Sequence, residues 1–228
     1  MLNGGRAGDI EALAGGRERL YRFLAGQFIS PPVGPKIPPN DLVAAWRELA
    51  QPVDPKCVAE IVGHLETDGF DPVALGREFA ELFQIPAGRY LAPIESVYRA
   101  ARFDGDRWTF GRLRGAPWTR VTNTYSKAGF EPAQDDVEAD HIACELQFLA
   151  ELCAREREAA AQGHMQLFGS LRANQKKFID QHPLAWVHLL RHRIEQVTSS
   201  PYYLGLIHFV ENMLAMESNY LSRNGAGE

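Results

Sequence analysis

The chain has 228 residues, of which 45% are hydrophobic and 23% charged, and its formal net charge is −5. That length and apolar share allow a substantial buried core in one domain. The acidic balance argues against a general nucleic-acid binder, which would show a basic field or stripe.

Cys57, Cys144 and Cys153 are an odd and sparse set. They imply no disulfide framework and point to a reducing compartment. No run of 18 apolar residues predicts a membrane span, and the start Met1-Leu2-Asn3-Gly4-Gly5-Arg6 lacks a signal-peptide pattern. The expected location is the cytoplasm.

Asp9 is placed to cap a first helix running to about Phe28, which Pro31 and Pro32 end. The proline-rich stretch 30–39 predicts an extended connector. Helices follow over about 40–50 and 55–67. Asp71 followed by Pro72 is an N-cap with proline at the first helical position, and it opens a helix to about Phe83. Residues 84–93 predict a loop, and about 94–102 a short helix. Arg107-Trp108-Thr109-Phe110 suits a brief strand with no evident partner. A helix from about Pro117 ends at Gly129, which suits a left-handed cap.

An acidic connector over 130–136 leads to helices at about 137–161, 165–181, 184–198 and 201–222. In the first of these, Ile142, Leu146, Leu149 and Cys153 share one apolar face. Cys144 and Cys153 lie on that helix about 13 Å apart along its axis, too far to bond. Strands and helices do not alternate, so an α/β fold is excluded. The fold class is all-α, a single helical bundle of about nine to ten helices over 1–228. A two-part packing of about 1–130 and 136–228 is compatible with the acidic connector.

Three segments together carry a resemblance. The first is Tyr90-Leu91-Ala92-Pro93-Ile94-Glu95-Ser96-Val97-Tyr98. The second is Asp140-His141-Ile142-Ala143-Cys144-Glu145-Leu146. The third holds Gln175, Phe178, His182, Trp186 and Pro201-Tyr202-Tyr203. Their order resembles the TorD/DmsD family of redox-enzyme maturation chaperones over roughly residues 75–215. The resemblance implies a TorD-like all-α fold and a chaperone for an immature molybdopterin oxidoreductase catalytic subunit. It further implies binding of that client's N-terminal or twin-arginine signal segment until the cofactor is inserted.

The candidate client-binding residues are Tyr90, Pro93, Glu95, Ser96, Tyr98, Asp140, His141 and Glu145. Asp140 and His141 have two readings. One is a helix cap with a half-buried histidine. The other is a polar contact for client arginines, since a carboxylate pairs bidentately with a guanidinium. Tyr90 and Glu95 are expected on the rim of an apolar groove with acidic edges, with Tyr98 packed on the core.

His188 and His192 are four apart but lack the glutamate of a His-Glu-x-x-His site, and Arg191 and Arg193 adjoin them. No metal or cofactor is expected. No nucleophile motif, P-loop or dinucleotide fingerprint is present, so no enzyme is expected. A helical adaptor for a folded partner and a small metal-dependent helical enzyme stay open as alternatives. A monomer and a domain-swapped homodimer are both compatible with the proline connector.

Overall fold

A computed structural model describes residues 4–34, 37–134 and 136–223. Asp135 of the acidic connector, Pro35 and Lys36 of the proline stretch, and both extreme termini lie outside the described residues.

The chain folds almost entirely into helices. They are α1 Gly4–Gly26, α2 Pro39–Ala45, α3 Pro55–Leu65, α4 Pro72–Phe79, α5 Glu95–Arg99, α6 Ala116–Ala128, α7 Ile142–Ala161, α8 Met165–Gln181, α9 Pro183–Val197 and α10 Pro201–Arg223. Single π-helical turns, Trp46–Ala50 and Ala80–Gln84, extend α2 and α4. The local signals act as their chemistry dictates. The Asp71 side chain accepts from the Val73 N–H at 2.8 Å, with Pro72 opening α4. Asp54 does the same for Cys57 at 3.0 Å ahead of α3. Gly129 ends α6 at φ 61°, where a side chain would be strained.

The apolar face of α7 is the centre of the core: Ile142, Leu146, Leu149 and Cys153 are fully buried. Helix α7 packs along α1 and against α8, while α10 packs on α3, α8 and α9. One continuous apolar cluster runs from Leu20 to Leu221. Trp46 seats among the rings of Phe23, Tyr202 and Phe209 in edge-on contacts.

A buried ionic cluster ties four helices together. The Arg17 guanidinium donates to Glu156 and to Glu217, each at 2.7 Å, and also to Gln175. Arg172 reaches Glu156 at 2.9 Å, and the Gln175 amide donates to the same carboxylate at 2.7 Å. Nearly every donor and acceptor has a partner, which is the condition for holding such charges away from water.

Two expectations are corrected by tertiary pairing. The strand at Trp108–Thr109 has a partner: Arg102–Phe103 pairs with it antiparallel, as β2 with β1. Helix α7 starts at Ile142, not near 137, because the segment before it is held in extended pairing described below.

Candidate functional site

The first two resemblance segments meet in space. Ile94 and His141 form an isolated antiparallel bridge. The Glu95 N–H donates to the Asp140 carbonyl at 2.8 Å, and the Ile142 N–H to the Pro93 carbonyl at 2.9 Å. The residues just before α5 and just before α7 are therefore stitched together, and both helices start from one two-stranded seam.

At this seam the acid and the histidine have divided the capping roles. His141 caps α7, its Nδ1 accepting from the Ala143 N–H at 3.1 Å. Asp140 caps the other helix: its Oδ2 accepts from the Ser96 N–H at 2.9 Å and from the Ser96 hydroxyl. The Ser96 Oγ in turn accepts from the Gly115 N–H at 3.2 Å, which places the start of α6. Burial lowers the His141 pKa to about 4, so Nδ1 keeps the lone pair that the cap requires. Burial raises the Asp140 carboxyl, while the Ser96 hydrogen bonds oppose the shift.

A second layer lies beneath. Glu95 Oε2 accepts from His182 Nδ1 at 2.8 Å, and Arg99 reaches Glu95 Oε1 at 3.1 Å. Arg99 also donates to the Gln181 carbonyl at 2.7 Å, tying α5 to the end of α8. The Glu145 Oε2 accepts from the Trp186 indole N–H at 3.1 Å. Tyr98 stacks on Trp186, with ring centroids 5.6 Å apart. Glu95 and Glu145 are both fully buried. Burial first, and the neighbouring Glu95 charge second, raise the Glu145 pKa well above the carboxylate range. Both causes favour the neutral form of Glu145.

Oxygens of Glu95 and Glu145 and a ring nitrogen of His182 lie within 4.8 Å of one another. These are the donors that a small cation would need. Arg99 and His182 already engage Glu95, and the Trp186 N–H engages Glu145. A divalent ion here would face the Arg99 guanidinium, which disfavours it. His192 is exposed instead, in contact with Gln196.

The seam changes the standing of the sequence-named residues. Pro93, Glu95, Ser96, Tyr98, Asp140, His141 and Glu145 are all buried. Glu95 is thus corrected from groove rim to interior, because its carboxylate is claimed by His182 and Arg99. Of that set only Tyr90, at 36%, is exposed. Sequence reasoning missed Arg99, although its i,i+4 spacing from Glu95 was a usable signal.

An apolar recess lies elsewhere. A groove of about 450 Å³ runs between α1, the π turn after α2, and α10. Leu13, Leu49, Val53, Met213 and Met216 line it, with Glu48 and Glu217 at its edge. Leu13 and Met216 are about half exposed there. None of the sequence-named site residues lines this groove. A smaller cleft of about 240 Å³ between α6, α7 and α8 has Phe148, Leu152 and Phe178 as apolar lining and Lys127 and Lys177 beside them; His182 reaches it from the buried layer.

The fold is a helical bundle with polar groups buried between helix starts and an apolar groove open to water. Residues 39–191 match the family model described as nitrate reductase delta subunit, about two-thirds of the chain. The chain belongs to this family, the TorD/NarJ family of molybdoenzyme maturation chaperones. Among the described residues, no helix is long and apolar enough to cross a membrane.

Proposed function

We propose that this chaperone acts in the cytoplasm on an immature molybdopterin oxidoreductase catalytic subunit. It binds the client's N-terminal or twin-arginine segment and holds it until the cofactor is inserted. The observation that carries this reading is the family match, which spans the seam joining Pro93–Tyr98 to Asp140–Glu145.

The buried members of the seam act by position. Asp140, Ser96 and His141 fix the starts of α5, α6 and α7, Glu95 and Glu145 tie them to His182 and Trp186, and Tyr90 offers the outward contact. The α1–α10 groove supplies the apolar seat. Its half-exposed Met216 adapts to varied side chains, and Glu48 suits a segment in which arginines precede an apolar stretch.

Calorimetric titration with a synthetic twin-arginine signal peptide tests this. Micromolar binding is expected, at least tenfold weaker for Leu13→Asp or Met216→Asp. Replacing the peptide arginines by glutamine weakens binding mainly at low salt. A wild-type protein that ignores both the peptide and a cofactor-free client subunit overturns the reading.

A further inference from the structure

Residues 99–120 hold six arginines against two aspartates, a local charge of +4 inside a chain whose total is −5. Arg99 is tied to Glu95 and Arg114 to Glu138. Among the described residues, Arg102, Arg107, Arg112 and Arg120 make no ion pair and are exposed. Apolar side chains stand between them: Phe103 and Leu113 are each 54% exposed and Phe110 38%.

These residues sit on two projecting turns with a rigid base. Every residue from Arg102 to Arg107 is exposed, with Gly105 at φ 100° forming the tip of the β1–β2 hairpin. The chain then returns to α5, where the Gly111 N–H donates to the Val97 carbonyl at 2.9 Å. A Cβ at Gly111 would lie 2.3 Å from the Ser96 carbonyl oxygen, so this approach is open only to glycine. The next turn, Arg112–Arg114, is anchored at its far end by Gly115 on Ser96. Both turns therefore project from the same short helix.

We propose that this hairpin and turn form a peripheral attachment site for an anionic lipid surface. Exposed aromatic and leucine side chains among unpaired arginines are the composition of an interfacial anchor: the apolar groups enter the headgroup boundary and the guanidinium groups meet phosphates. The turns are convex, which a fluid surface accommodates. Single-stranded nucleic acid would need free ring faces, but Trp108 stacks on Phe110, with centroids 6.0 Å apart and planes 14° apart. The negative charge of the remaining surface repels the same bilayer, so attachment is hairpin-first, reversible and salt-sensitive.

The test is co-sedimentation of the full chain with phosphatidylcholine vesicles, with and without phosphatidylglycerol. Binding is expected only to the anionic vesicles, and to fall as salt rises. Arg102→Glu with Arg107→Glu weakens it at least tenfold, at about fivefold or more per lost arginine. Phe103→Ser weakens it while leaving the salt dependence in place. All are exposed positions, and unchanged helical circular dichroism confirms the fold. Wild-type protein that stays in the supernatant overturns the proposal, as does an arginine variant that sediments like wild type. Capture by an acidic polypeptide such as polyglutamate, with no vesicle binding, makes the patch a protein contact and overturns it too. Signal-peptide titration of the same variants is expected to be unchanged, so failure here and failure of the chaperone reading are separate results.

Discussion

Removing the Asp140 carboxylate should disconnect two helices. Its Oδ2 is the acceptor for both the Ser96 N–H and the Ser96 hydroxyl, in a fully buried setting. Asp140→Ala leaves those two donors without their acceptor. At about 1–3 kcal/mol for each orphaned buried group, the loss is about 2–6 kcal/mol. A loss of about 3 kcal/mol lowers the Tm of a domain this size by roughly 6–12 °C. Asp140→Asn keeps an acceptor for Ser96 but puts an amide N–H group where the buried Oδ1 has no partner, so it loses less than Asp140→Ala, about 1–3 kcal/mol. Urea denaturation of both variants, with Ser96→Ala and the double variant, gives the Asp140–Ser96 coupling, expected at about 1–3 kcal/mol. Peptide affinity follows the same order, with Asn above Ala, because the residue acts by placing α5. Equal midpoints for Asp140→Ala and Asp140→Asn would refute this reasoning. Asparagine that folds well but loses the peptide would show a direct charge contact instead.

Three further outcomes follow from the same geometry. Glu145 has a raised folded pKa, so its contribution is complete below the unfolded carboxylate value and is lost as pH rises through the folded one. Glu145→Gln mimics the acid and should flatten that decline in a series of urea midpoints against pH; overlapping profiles would show that Glu145 does not cause it. His141 behaves in the opposite sense. Its folded pKa of about 4 lies below the unfolded value, so stability present above about pH 6.5 declines as pH falls toward 4, by about 3 kcal/mol at most. His141→Asn keeps a cap without the titration, and imidazole NMR shifts of the wild type locate the pKa directly. Finally, Gly111→Ala should cost more than Gly205→Ala. The first Cβ meets the backbone oxygen of Ser96 at 2.3 Å, the second only the Ile61 side chain at 2.4 Å, which can rotate. Thermal melts giving the reverse order would show that the hairpin base is pliable.

Local chemistry alone determined most of the helices. Asp71 with Pro72, Gly129, and the Ile142–Cys153 stripe each fix their own conformation through groups a few residues apart. The three motif segments also carry the family likeness in their residues alone. What only the tertiary structure decided is which partner each polar side chain takes. Asp140 looks like the cap of the helix it precedes, yet it caps α5, because the Ile94–His141 bridge brings Ser96 to its carboxylate from 44 residues away. The same bridge delays α7 by several residues against local helical preference. Glu95 and Glu145 look like surface acids and are interior, since His182, Arg99 and Trp186 arrive from distant helices to satisfy them. Sequence spacing encodes contacts within one helix; hydrogen bonds between helix starts depend on how the helices pack, and no local pattern records that.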